Sequence, residues 1–202
     1  MKPSAPVSRT CTPPGPGVES INPAGDNMEN AIPLQSPERA ALIARRRASP
    51  HAALWQALDA VTDPEIPTLS LWDLGVLQDV YIDQERTVVV LTPTYSGCPA
   101  MATMADDIKA CLHATGVREV HVEMRLAPAW STDWLDPATR GNLRKVGIAP
   151  PAPLRERATA HVPCPQCGSQ DTVVLSEYGA TACKALYRCL ACAEPFDHFK
   201  PI

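Results

Sequence analysis

The chain has 202 residues, of which 45% are hydrophobic and 22 are proline, and carries a net charge of −4 at neutral pH. That charge offers no basic field for neutralising phosphates, so nucleic acid is disfavoured as a partner, and no apolar run is long enough to cross a membrane. The opening stretch MKPSAPVSRTCTPPGPG lacks the apolar core of a secretory signal, so a cytoplasmic location is expected, where eight cysteines read better as metal ligands or reactive thiols than as a disulfide framework.

Residues 1–48 are rich in Pro, Gly, Ser and Asn without a sustained apolar period, and are expected to form a disordered extension. Within it, SPERAALIARRRAS holds enough helix formers for a transient helix, and its arginine run reads as a solvated basic patch. An internal Met28 precedes the first plausible structure and is a candidate translation start.

Order is expected from residue 49. Ser49 can cap and Pro50 can open a helix that carries Leu54, Trp55, Leu58 and Val61 on one face and ends at Asp63-Pro64. VLQDVYI and RTVVVLT read as a strand pair around the polar turn DQE. CPAMATMADDIKACLHATG is the clearest amphipathic helix, with Met101, Met104, Ala105, Ile108 and Leu112 along one face and Gly116 as its stop. In REVHVEMRLA, Val120, Val122, Met124 and Leu126 alternate with His121, Glu123 and Arg125, the period of a half-buried strand. Asp136 and Pro137 can start one more short helix.

The expected class is therefore α+β: a small two-layer α/β sandwich over residues 49–147, a linker over 148–160, and a cysteine-rich β module over 161–202.

Cys164, Cys167, Cys189 and Cys192 form C-x2-C-x21-C-x2-C, the ligand spacing of a structural zinc ribbon. Four thiolates also suit iron, so zinc and iron both stand as cofactors for this module. Cys183 is a fifth thiol in the same segment. Its expected place is packing in the ribbon's second strand, although the adjacent Lys184 could lower its pKa and let it exchange ligands. In TPTYSGCPA, Pro99 at the first helical position would put Cys98 at the N-cap, where the helix dipole favours a thiolate; a buried small residue at a strand-to-helix junction is the alternative.

Cys111 is expected in the core, and Cys11 carries no signal. Asp63, Glu65 and Asp73 could supply paired carboxylates, but a helix-terminating turn accounts for them equally simply. His121, His161 and His198 are expected to be solvated or to cap rather than ligate. No dinucleotide fingerprint, P-loop or Glu-x-x-His pair is present.

DPEIPTLSLWDLGVL followed by TPTYSGCPA resembles the domain of SufT-like iron-sulfur assembly factors, and with the tail CPQCGS…ACKALYRCLACAEPFDHFKPI the chain resembles the PaaD family of the bacterial phenylacetyl-CoA 1,2-epoxidase system. The resemblance covers residues 51–202. It implies a non-catalytic accessory or maturation role in aerobic phenylacetate degradation, with the oxygenase and reductase subunits as partners. On this footing Cys98, Asp63 and Glu65 match the assembly domain's transfer site for a transient iron ion or iron-sulfur cluster. Two further readings follow from the same residues: a structural zinc-ribbon adaptor that docks oxygenase subunits, and an iron-containing electron-transfer component.

Overall fold

The computed structural model describes residues 36–152 and 161–202. Residues 1–35, with Cys11 and Met28, and residues 153–160 lie outside this description.

The first element is helix α1, Pro37–Ala48. Ser36 caps it by accepting from the Arg39 N–H, and Pro37 opens it. This corrects the expectation that everything before residue 49 is disordered. Leu42 is buried in the main core, and Arg39 is only 3% exposed, with its guanidinium 4.3 Å from the Trp72 ring and its Nη2 donating to the Trp72 carbonyl at 2.9 Å. Arg46 is not simply solvated either. It lies 4.6 Å from the Trp72 ring and 5.4 Å from the Trp55 ring, and it pairs with both oxygens of Asp59. Arginine faces stack on aromatic rings while their stems cover apolar surface, which is how a helix of low mean hydropathy docks.

Ser49 ends α1, and its hydroxyl accepts from the His51 N–H, so helix α2 begins later than expected, at Ala52–Leu58. Trp55, Leu58 and Val61 are buried as their spacing requires. The loop that follows is organised by short-range side-chain acceptors. Asp63 Oδ1 accepts from the Glu65 and Ile66 N–H groups at 2.8 and 2.9 Å, and Ser70 and Asp73 exchange hydrogen bonds with each other's backbone. Gly75 has a left-handed φ of +71°, and a Cβ there would meet the Trp134 ring at 3.3 Å; both constraints select glycine.

Strands β1 (Leu77–Asp83) and β2 (Arg86–Leu91) pair antiparallel through a two-residue turn in which Gln84 and Glu85 both have positive φ. Helix α3 (Met101–Ala114) crosses over to β3 (Val120–Met124), which pairs parallel with β2, giving the sheet order β1-β2-β3. Met101, Met104, Ile108 and Leu112 are buried, and Gly116 ends the helix at a φ of 93°.

The alternation in β3 holds only in part. Val120 and Val122 pack on the core, but Met124, at the end of this edge strand, and Leu126 beyond it are more than half exposed.

A 3-10 turn at Thr132–Trp134 brings Trp130 and Trp134 into the core, where Trp130 Nε1 donates to the Leu74 carbonyl at 2.8 Å. Helix α4 (Pro137–Lys145) is capped by Asp136, whose Oδ1 accepts from the Thr139 N–H at 2.7 Å.

The expected linker starts with structure instead. β4 (Ile148–Ala149) pairs parallel with β7 (Pro195–Phe199), so the second sheet has the order β4-β7-β6-β5, where β5 is Thr172–Ser176 and β6 is Lys184–Cys189. His198, expected to be solvated or to cap, is only 6% exposed, and its Nδ1 lies 3.1 Å from the Ala149 carbonyl. Phe199 packs against Trp130 with ring centroids 5.8 Å apart, and Ser131 and Thr132 both donate to the C-terminal Ile202 oxygen. The two modules thus share one core, which includes Cys183, Ile148 and Phe199. Among the described residues no helix is long and apolar enough to cross a membrane.

If α1 is docked as these contacts require, Leu42→Ala lowers the unfolding free energy by about 2–3 kcal/mol in a denaturant titration followed by tryptophan fluorescence. A loss under about 0.5 kcal/mol would mean that α1 does not pack on the core.

Candidate metal sites

The ribbon quartet is built by two tight turns. Cys164 N–H donates to the Ser169 carbonyl and Gly168 N–H to the Cys164 carbonyl, both at 2.9 Å, while Cys189 N–H donates to the Glu194 carbonyl at 3.0 Å. A left-handed residue follows each turn: Gly168 at a φ of 76° and Ala193 at 65°. Glycine takes this conformation freely, whereas alanine takes it at about 1 kcal/mol; the second turn holds despite that cost.

The four sulfurs lie within 4.8 Å of one another, with Cys164–Cys192 at 3.8 Å and Cys167–Cys189 at 3.6 Å. Metal–thiolate bonds of ~2.3 Å in a tetrahedron separate sulfurs by ~3.8 Å. The donors therefore fit a single ion, whereas a bridged cluster would spread its ligands round a larger core. The Cys192 backbone N–H, 3.5 Å from Cys189 Sγ, brings the Cys189 thiol down to about 7, while burial and the neighbouring sulfurs push Cys192 up to about 12, so the crowded sulfurs share charge unequally among themselves. Cys164 and Cys189 are buried, with Phe196 beside them and Val162 and Tyr187 packed against the cluster.

Cys183 is elsewhere. It immediately precedes β6, is 9% exposed, and belongs to the main core rather than to the ribbon's small cluster. There it lines a cavity of about 20 Å³ together with Asp63, Glu65, Thr94, Thr181 and Cys98. The apolar wall of this cavity includes Ile66, Met101, Met104 and Phe199. The three residues that the sequence grouped as a transfer site, Cys98, Asp63 and Glu65, are thus brought to one cavity, and the module expected to be separate closes it.

Cys98 lies two residues before the α3 N-cap, which is Ala100, so it is not itself the cap. Burial pushes its thiol up from the ordinary value, and the Ala100 backbone N–H offsets this only in part. The expected N-cap position is therefore corrected, and the alternative place, a half-buried thiol at the strand-to-helix junction, is the one found. Burial also raises the Cys183 thiol, although Thr181 Oγ1 lies 3.1 Å from its sulfur and Lys184 is next in sequence; the expected lowering by that lysine is overcome. Asp63 is raised by burial too, against the two backbone N–H groups it accepts.

Glu65 is partly exposed, and its Oε2 is 3.6 Å from the buried Lys184 ammonium, which lies at the same distance from Asp197. Asp73 does not line the cavity. Tyr95 lies nearby, with the Ala182 N–H directed at its hydroxyl, and this ties the Cys98 loop to the ribbon. On its other side Cys98 lines an apolar groove of about 400 Å³ with Leu91, Pro99, Met101, Ala105, Val122 and Met124. His121 and His161 are exposed, as expected, and Cys111 packs in the core, as expected, but it is disulfide-bonded rather than a free thiol, which corrects the expectation that the cysteines serve only as ligands or reactive thiols.

The chain is thus an α/β domain closed by a four-cysteine β ribbon, and comparisons with known proteins give the family of each part. Residues 51–128 match the family described as iron-sulfur cluster assembly protein, and residues 149–200 match the PaaD zinc beta ribbon domain. The chain is 46% identical over 153 residues to a 1,2-phenylacetyl-CoA epoxidase subunit of Escherichia coli, covering 74% of this chain and 92% of that protein. It belongs to the PaaD family.

It is also 32% identical over 79 residues, 38% of this chain and 76% of its relative, to the Fe-S protein maturation auxiliary factor YitW of Bacillus subtilis. Among solved structures, a domain of unknown function from Bacillus anthracis superposes with a TM-score of 0.42 at 27% identity, over 52% of this chain and 95% of that one.

A single ion held by the quartet has a direct consequence. Elemental analysis of the purified protein is expected to give one tightly held metal per chain, and Cys189→Ser to lose it together with the cooperative melting of the C-terminal module, since ligation supplies ~10 kcal/mol or more to such small folds. Retention of the metal in that variant would exclude the quartet as the binding site.

Proposed function

We propose that this protein is a non-catalytic accessory subunit of a phenylacetyl-CoA 1,2-epoxidase system, in which it assists the loading of iron or an iron-sulfur cluster into the oxygenase or its reductase. Cys98 is the transient ligand and the ribbon is the docking module. The observation that carries this reading is the position of Cys98 between an enclosed acidic cavity and an apolar groove, in a chain whose relatives are an epoxidase subunit and an Fe-S maturation factor. A carrier must hold its cargo without retaining it, and one shielded thiol beside carboxylates binds more weakly than a closed quartet.

The ribbon ion is zinc in this reading. Four thiolates leave no open coordination position for substrate or cargo, which is the character of a structural site. The ribbon also offers a surface for partners: on edge strand β5, Val173, Val174 and Leu175 are 40–52% exposed, and Tyr178 just beyond is 70% exposed. An apolar, unpaired edge of this kind favours strand pairing or side-chain docking with another chain.

The test is a chromosomal Cys98→Ala variant in a strain that depends on phenylacetate. The variant protein should accumulate folded and with its ribbon metal, while the oxygenase and reductase are recovered metal-poor and growth on phenylacetate drops toward that of a deletion strain. Normal metal content in both would end the maturation reading and leave the adaptor role. A visible absorption spectrum separates the electron-transfer alternative, because a zinc-thiolate protein is colourless and an iron-thiolate protein is not.

A further inference from the structure

We propose that Cys98 and Cys183 are the paired thiolates of a second metal site, which takes one soft divalent cation into the cavity between the two modules with the Glu65 and Asp63 carboxylates as oxygen donors. The inference rests on the reading of Cys98 as a metal-handling thiol and adds to it a second thiol supplied by the ribbon.

The cavity sets the size of the occupant. At about 20 Å³ it has room for one water-sized particle, enough for an ion and too small for an iron-sulfur core. Its donors are two unpaired cysteines and two carboxylates on an otherwise largely apolar wall. Thiolates set the preference for a soft or borderline ion, and carboxylates complete its charge.

Each of these donors has a protein partner of its own. Among the described residues only the ribbon quartet forms a group of three or more donors within 4.8 Å. Cys183 Sγ is engaged by Thr181 Oγ1 at 3.1 Å, Glu65 by Lys184 at 3.6 Å, and one Asp63 oxygen by two backbone N–H groups. An entering ion exchanges the Thr181 contact for a metal bond and takes the second oxygens of Glu65 and Asp63, so Glu65 Oε2 stays on Lys184, and the Thr181 contact re-forms when the ion leaves. The ribbon sulfurs instead face one another and a turn N–H that favours the thiolate, so the two sites differ in kind: one retains its ion and the other exchanges it. Cys183 also reports the state of the ribbon, because β6 begins at Lys184, the next residue, and ends at the ribbon ligand Cys189.

The experiment is an anaerobic titration of the full-length, zinc-loaded protein with cobalt(II), read by thiolate-to-cobalt charge-transfer absorption and by elemental analysis. The wild type is expected to take up a second equivalent without losing its zinc, and Cys98→Ser and Cys183→Ser are each expected to abolish that uptake while the zinc stays bound. Peptide mass mapping after iodoacetamide treatment gives a readout that needs no variant, since cobalt should protect both Cys98 and Cys183. If Cys98→Ser abolishes uptake, Cys183→Ser does not, and only Cys98 is protected, the two-thiol site is overturned while the reading of Cys98 stands. If the wild type takes up no second equivalent, or Cys98→Ser retains it, both fail.

Discussion

The buried ammonium of Lys184 ties the architecture together. It is 5% exposed, and its two carboxylate partners come from different modules: Glu65 from the loop after α2 and Asp197 from β7. A charge removed from water is tolerated only where it is paired, and taking away one partner leaves an uncompensated charge inside the protein. The pairing of Lys184 with Glu65 thus favours the observed seating of the ribbon on the assembly domain. That seating places Cys183 in the cavity, Phe199 against Trp130 and the chain end against Ser131 and Thr132.

From this follows a division of labour among five thiols. Four are drawn together by two local turns, lie within 4.8 Å of one another and fit a closed tetrahedral site. The fifth is carried by the same β6 strand into a different environment, where burial raises both its thiol and that of Cys98. An ion bound by the quartet would fix the fold of the C-terminal module, and the module in turn walls off Cys98. The quartet and the cysteine of the assembly domain are thus mechanically linked although they share no donor.

What could be read from the sequence depended on how local the determining contacts are. The quartet, the β1–β2 hairpin, the Gly116 stop of α3 and the Asp136-Pro137 start of α4 are each set by residues a few positions apart, and all appeared where expected. Helix α1 was misjudged because arginines count as solvated in any composition argument, whereas Arg39 and Arg46 dock through ring faces far along the chain. β4 is only two residues followed by prolines, so nothing in its own pattern distinguishes it from linker, and only its pairing with β7 makes it a strand. The meeting of Cys183 with Cys98, and the burial of Lys184 and His198, depend on how two modules pack, which residue spacing does not encode.

The central claim is that the ribbon, held by its metal, is the wall of the Cys98 cavity. Hydrogen exchange on the intact protein before and after a chelator strips the ribbon metal tests it most directly. The account predicts that amides in residues 94–104, around Cys98 and the start of α3, lose protection together with β6 and β7. Loss of protection confined to the ribbon, with the Cys98 loop unchanged, would contradict it.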